Sequence, residues 1–336
     1  MIKFFRNIRK KMVEDGKTAN YLKYGIGEIV LVVIGILLAL QINNWNEKQK
    51  NEEKILTILE DIQKDLSEDI VSANLVFDKY VRNDSLKKIF LTDKLTFRDH
   101  YFIYYYANLI IHKNGYLNLI QNSNSIPKKY AGIFKDLNNL YINIAQDIPV
   151  FNERIRTTVY NGVDYLAKNK DWFIDWNSGN ENPAIEQFYL SDMNYKNQLV
   201  SYMNDLLNLC SDANTYKVNA IDMYQKIDTL LGNKTPVPKH VTYHLADSTL
   251  LKQLAGHYKW QDGLTDEKEQ TMVLKVKDGG LFYGYAIDKE SDYTELYWYK
   301  DKTFFLDRMV LDFNMEQGNT TLTFKLHRGF QKWLKQ

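Results

Sequence analysis

The sequence contains a single cysteine, Cys210, among its 336 residues. One thiol cannot form an internal disulfide, so packing alone must stabilise any exported domain of this chain. Proline is also scarce, at five residues, which favours long uninterrupted helices. The formal net charge is only +1, so the chain as a whole has no bias towards nucleic acid, and we expect no nucleic-acid partner.

The sequence also lacks the patterns that identify common enzymes. It has no phosphate-binding glycine loop, no G-x-S-x-G, no H-E-x-x-H and no C-x-x-C. Residues 85–88 and 125–128 fit S-x-x-K, but Pro236 stands where the accompanying K-T-G motif needs glycine. His240 and His244 are four residues apart, yet in the extended segment expected after prolines their side chains would lie about 13 Å apart. We therefore predict no catalytic residue, no metal and no cofactor.

One long apolar run dominates the amino-terminal part of the chain. Residues 29–40 have no polar side chain, and the run is bounded by Tyr24 and Trp45. A helix rises 1.5 Å per residue, so the segment between these boundaries spans roughly 33 Å, close to the bilayer core of about 30 Å. The sequence therefore predicts a transmembrane helix over residues 24–45.

The flanks of the run predict its orientation. Residues 1–23 contain seven Lys and Arg against two acids, whereas residues 47–54 are mixed in sign. Basic flanks stay in the cytoplasm, so residues 1–23 should be a cytoplasmic basic segment and the chain beyond Trp45 periplasmic. Residues 40–44 contain no small-x-small cleavage site, which favours an uncleaved signal anchor over a signal peptide. We expect one span in a bacterial inner membrane.

Two features of the span each have two interpretations. Glu28 lies about one turn inside the cytoplasmic boundary, where an acid either is functional or extends its side chain to the headgroups. Gly35 and Ala39 form a small-xxx-small pair, which lets a second helix approach closely but also arises by chance. A homodimer through this helix–helix contact is one interpretation of the pair.

The apolar spacing stays helical beyond Trp45. Apolar residues recur every four and three residues from Ile55 to Tyr80, an alternation broken at Asp69. No glycine or proline interrupts the chain between Gly35 and Tyr80. This pattern predicts one helix that leaves the bilayer as a stalk, whose apolar stripe packs either on a second copy or within its own chain.

The next part of the chain is predicted to complete a helical bundle. Thr96 opens a capping pattern for a helix that should end at residues 114–115, and Pro149 should kink or split a long helix. A last helix should stop at Gly232. We expect residues 46–233 to form a periplasmic bundle.

The sequence period changes after residues 234–238 (KTPVP), which we interpret as a short stiff linker. Leu322, Phe324 and Leu326 then alternate with Thr and Lys, as expected for a strand with one buried face and one solvent-exposed face. Seven or eight short antiparallel strands within residues 239–336 indicate a small barrel or sandwich. The predicted fold class is α+β, with a transmembrane helix, a helical bundle and an antiparallel β-barrel.

Aromatic residues are abundant, with 24 Tyr, 16 Phe and 6 Trp. Trp172 and Trp176 in a predicted loop, and Trp298 on a predicted strand, are the first candidates for a surface that binds glycans or peptides. The alternative is that these side chains belong to the core and its rim.

Two segments resemble known families. Residues 1–47, MIKFFRNIRKK and later GKTANYLKYGIGEIVLVVIGILLALQINNWNE, resemble an uncharacterised family of membrane-anchored proteins common in Bacteroidetes. This resemblance implies an inner-membrane protein and no activity. Residues 254–258 (LAGHY), 279–282 (GGLF) and 322–326 are similar to lipocalin-like modules that follow serine-hydrolase domains in exported bacterial proteins, which implies a barrel.

These features predict a membrane-anchored periplasmic protein of unknown function that is not an enzyme. The first hypothesis is a binding or scaffold protein whose partner is an envelope protein, a glycan or a peptide. The second is a sensor or regulatory subunit that passes a periplasmic signal to a partner protein. An enzyme with an unrecognised site is the third hypothesis.

Overall fold

The computed structural model describes residues 18–90, 104, 106, 108–233, 236–241, 246–263, 269–306, 309–316, 318–326 and 329–336. The predictions for residues 1–17, Thr96, residues 234–235 and His244 lie outside these ranges. The chain divides into two compact units. Unit 1 comprises Met1–Thr57 and Asn122–Ala131, and unit 2 comprises Ile58–Gln121 and Gly132–Gln336.

The first helix, α1, runs from Thr18 to Phe90 without interruption. This confirms the predicted helix that continues past the apolar run. From Ile29 to Leu40 every side chain is exposed, an arrangement that costs free energy in water. Within the described part of the chain, α1 is the one helix that is long and apolar enough to cross a membrane.

Seven further α-helices follow α1 within the described ranges. Pro149 lies in the first turn of its helix and splits the long apolar pattern in two, as predicted. The longest of them ends at Gly232, whose φ of 86° suits glycine at a helix end. The helices are α2 (Asn114–Gln121), α3 (Ala131–Asn138), α4 (Ile148–Asn169), α5 (Phe173–Ser178), α6 (Pro183–Ser191), α7 (Met193–Leu231) and α8 (Ser248–Leu254).

The predicted helix that ends at residues 114–115 is wrong where the structure describes it. Residues 108–113 are not helical, and α2 begins at Asn114. Side chains of two helices satisfy the backbone of this segment: Asn152 bonds the N–H and C=O of Leu109, and Ser72 accepts from the N–H of Ile110. These contacts replace helical hydrogen bonds, so the segment can stay non-helical while partly buried.

The carboxyl-terminal part forms a closed barrel of eight antiparallel strands in sequential order, with β1 paired to β8. This confirms the predicted barrel. Its interior is filled by side chains, among them Tyr258, Phe324 and Trp333, as is usual for eight strands. The strands are β1 (Gly256–Gly263), β2 (Thr271–Lys277), β3 (Gly280–Tyr285), β4 (Thr294–Lys300), β5 (Thr303–Leu306), β6 (Met309–Glu316), β7 (Asn319–Leu326) and β8 (Gly329–Lys335).

The barrel packs directly on helices of unit 2. The ring of Phe77 on α1 lies 5.0 Å from the rings of Tyr299 and Phe305. The hydroxyl of Tyr299 donates to Oδ1 of Asp78 at 2.6 Å. Residues 58–90 of α1 and the barrel therefore share one compact unit.

Candidate ligand-binding cavity

One face of α7 is turned towards the barrel. Asn214, Lys217, Val218, Ile221 and Asp222 follow the three- and four-residue spacing that places side chains on the same side of a helix. Most of α7 is otherwise buried in the bundle. The other faces of α7 thus pack within the bundle, while this face lies opposite β3 and β4.

A cavity of about 310 Å³ lies between this face of α7 and the barrel. Its polar wall carries Lys217, Asp222 and Glu295. Its apolar lining comes from α7, from α8 and the residues before it, and from strands β3 to β5. The apolar lining comprises Val218, Ile221, Ala246, Leu251, Leu281, Leu296 and Phe304.

The turn before β3 leaves space for one of the acids. Gly279 has a φ of 82°, a left-handed conformation that glycine adopts without strain. A Cβ at Gly280 would lie 2.7 Å from Oε1 of Glu295, so a side chain there would displace the carboxylate. The two glycines thus let Glu295 lie over the turn at the cavity wall.

Lys217 is the buried cation of the cavity, with 8% of its surface exposed. Its Nζ donates to Oδ1 of Asn74 at 2.8 Å and lies 5.4 Å from the centre of the Phe77 ring. Among the described residues no carboxylate pairs with it. Burial disfavours the charged amine and lowers the pKa of Lys217 to about 8.

The acids of the cavity come from different elements, Asp222 from α7 and Glu295 from β4. Burial raises the pKa of Glu295, and the negative charge of Asp222 raises it further. Lys217, Asp222 and Glu295 thus line the cavity beside its apolar wall, and the Lys217 ammonium is bonded to Asn74 of α1, which is not among the lining residues. Such a site can bind a small molecule that carries both charges and an apolar group.

A second polar centre lies within the bundle at Asp69, which is fully buried. The carboxylate accepts three hydrogen bonds: from the Tyr216 hydroxyl at 2.5 Å, the His112 backbone at 2.9 Å and His112 Nδ1 at 2.7 Å. Burial raises the pKa of Asp69, and the hydrogen bond to Asp69 raises that of His112. These contacts attach residues 108–113 to α1 and α7. Asp69 was visible in the sequence only as the break in an apolar alternation.

The structure separates the three tryptophans that the sequence singled out. Trp172 lies in the short turn between α4 and α5, as predicted, whereas Trp176 belongs to α5, where its ring stacks on Phe173. Both tryptophans are at least nine-tenths buried, and Trp176 also meets the ring of Tyr104 at 5.0 Å. Their position favours a packing role. Trp298, by contrast, lines the cavity, and its Nε1 donates to the backbone oxygen of Asp301 at 3.0 Å.

The predicted membrane residues all lie on α1. The side chain of Tyr24 is outside the described part, Glu28 is partly exposed, and Trp45 is 60% exposed. Ala39 is exposed, and a Cβ at Gly35 would have no neighbour within 4 Å. The face that would contact a second helix is therefore uncovered in the single chain.

Of the histidine pair considered in the sequence, His240 and His244, the structure describes only His240. His240 lies in a short 3-10 helix (Lys239–Val241), so the extended conformation expected there is wrong. Its Nε2 lies 2.8 Å from the hydroxyl of Ser67, while its predicted neighbour His244 is outside the described ranges. Among the described residues no group of three or more His, Cys, Asp or Glu is placed to hold a metal ion.

Comparison with known proteins covers part of the chain. Residues 28–171 match the model of a family described as a family of unknown function (DUF6090). This segment is similar to that family. It includes most of the apolar run and the bundle as far as α4, and it ends before α7 and the barrel that form the cavity. No curated protein and no solved structure matches the chain.

Proposed function

We propose that this protein is a non-enzymatic binding protein of the bacterial cell envelope, anchored in the inner membrane by α1. In this proposal residues 1–23 lie in the cytoplasm, and the chain beyond Trp45 lies in the periplasm. The observation that carries the binding role is the cavity between α7 and the barrel, in which Lys217 is buried without a described carboxylate partner.

The cost of burying Lys217 supports this role. A buried ammonium loses its hydration, and an amide oxygen and an aromatic ring compensate for this less well than a carboxylate does. We therefore expect an apolar residue at this position to give a more stable fold. Groups that reduce stability and line a cavity are candidates for binding.

The charges favour a short peptide with free termini as the ligand. Lys217 can bind the terminal carboxylate, while Asp222 and Glu295 can bind the terminal ammonium. The volume of about 310 Å³ is at the lower end of the usual range for ligand pockets.

Binding is tested by titration calorimetry of the full chain in detergent with the dipeptide Ala-Leu. We expect Val218→Phe to abolish binding because the larger ring fills the cavity. The control is Val200→Phe, which adds the same ring to an exposed position of α7. Ala-Leu with both termini blocked should bind at least about tenfold more weakly, because it loses two charge-assisted contacts. Equal binding by wild type and Val218→Phe would contradict the proposal.

Lys217→Met serves as the second variant in the same experiment. It should lose Ala-Leu binding and raise the free energy of unfolding at pH 7 by about 1–2 kcal/mol. Since the pKa of Lys217 is lowered from 10.5 to about 8, the unfolded chain binds more protons between these values. Wild-type stability should therefore rise from pH 8 to 10.5, a rise that the variant lacks. A variant less stable than wild type at pH 7 would show that Lys217 has a structural role.

The orientation is tested separately with reporters fused after Gln336. Alkaline phosphatase should be active there because it matures in the periplasm, and a reporter active only in the cytoplasm should be silent. The opposite result would place the cavity inside the cell and contradict the envelope assignment while leaving its chemistry unaffected.

Transmission of a signal along α1 to a partner protein was the alternative hypothesis from the sequence. It stays a prediction, since the contacts around the cavity favour binding and none of them favours signalling in particular.

A further inference from the structure

A second cavity, of about 530 Å³, lies entirely within unit 1. It is a polar groove between α1 and residues 127–129, and we refer to it as the basal groove. Helix α1 contributes Asn44, Glu47, Lys48, Asn51 and Glu52, and the short segment contributes Pro127, Lys128 and Lys129.

The basal groove begins where the predicted span ends. Lys48 is three residues beyond Trp45, about 4.5 Å along the helix axis, and Glu52 is about 10 Å beyond it. The headgroup layer on each side of a bilayer is about 5–7 Å thick. When the apolar run occupies the bilayer core, the lower part of the groove therefore lies among the headgroups. This step depends on the membrane anchoring proposed above.

The charges of the basal groove are only partly compensated. Lys129 forms an ion pair with Glu52 and lies 4.8 Å from the centre of the Tyr130 ring. This ion pair attaches the short segment to α1. Lys48 and Lys128 have no carboxylate partner among the described residues. Lys48 on α1 and Lys128 on the short segment, both exposed, thus line the two sides of one groove.

The geometry points to a binding site for the phosphodiester headgroup of a membrane phospholipid, held between Lys48 and Lys128. A phosphodiester carries one negative charge and several acceptor oxygens, which suits two lysines. Below the groove, on the same face of α1, Leu37 and Leu40 expose apolar side chains along which acyl chains can pack. This continuity favours a lipid over free phosphate.

The test is native mass spectrometry of the full chain in detergent, titrated with dioleoyl phosphatidylglycerol. K48Q/K128Q should weaken binding by roughly 25-fold, since each lysine near an anionic headgroup contributes about a fivefold factor. The control K50Q/K54Q removes the same charge from α1 outside the groove, and Lys50 lies on nearly the opposite face from Lys48. The control should change affinity less than about twofold.

Equal losses in the two double variants would overturn the proposal, because they would indicate only a general attraction between basic residues and anionic lipid. Dioleoylglycerol, which lacks the phosphate, should bind far more weakly, and equal binding would also overturn it. Inorganic phosphate should not displace the lipid; displacement would reassign the site to free phosphate. Carbonate washing of membranes tests the anchoring independently: extraction of the wild-type chain would contradict the proposed function, whatever the lysine variants show.

Discussion

Replacing Asp69 by alanine is expected to lower the free energy of unfolding by about 3–5 kcal/mol. The carboxylate is fully buried and accepts hydrogen bonds from the Tyr216 hydroxyl and from two N–H groups of His112. Alanine leaves these donors without an acceptor and creates a small cavity. Thermal or denaturant unfolding of the full chain in detergent, followed by circular dichroism, measures the loss.

Asp61→Ala is the matched control for this variant. It removes the same carboxylate from an exposed position of α1, eight residues earlier, and should change stability by less than about 0.5 kcal/mol. Asp69→Asn retains one acceptor oxygen and should be intermediate. If Asp69→Ala and Asp61→Ala were equally stable, the Asp69 contacts would have no role in attaching residues 108–113 to the bundle.

Gly115→Ala is expected to destabilise the protein by about 1–3 kcal/mol, although alanine normally favours helices. A Cβ at Gly115 would lie 2.7 Å from Cγ1 and 2.9 Å from the backbone nitrogen of Ile62. The backbone of Ile62 belongs to the regular helix α1, so it cannot move aside without breaking hydrogen bonds. The shift in unfolding midpoint of the full chain reports the cost.

Gly132→Ala provides a control with the opposite expected sign. A Cβ at Gly132, in α3, would have no neighbour within 4 Å, so the alanine should raise stability by up to about 1 kcal/mol. A stabilising effect of both substitutions would show that α2 does not pack on α1 as closely as the structure indicates.

The long elements of this fold follow from local patterns in the chain. Helix α1 is continuous because its apolar spacing is helical and neither glycine nor proline interrupts residues 36–80. The barrel strands follow from two-residue alternation and turn glycines such as Gly279 and Gly318. Hydrophobic period and turn chemistry are properties of neighbouring residues, which a single sequence displays directly.

Local sequence patterns do not show whether an individual aromatic residue is buried or lines a cavity. Trp172 and Trp298 were equally good candidates for a binding surface, yet the first packs on Phe188 in the bundle and the second lines the cavity. An aromatic side chain is compatible with both positions, and the packing of other elements decides between them.

The sequence on its own therefore supports a membrane helix, a helical bundle, a barrel and the absence of common catalytic motifs. The non-helical segment at 108–113, the Asp69 centre and both cavities could be found only in the folded chain. Their contacts join residues far apart in sequence, such as Asp69 with Tyr216 and Lys217 with Asn74. Hydrogen bonds and burial that involve residues far apart in sequence depend on how whole helices and strands pack. They therefore cannot be predicted from a local sequence pattern.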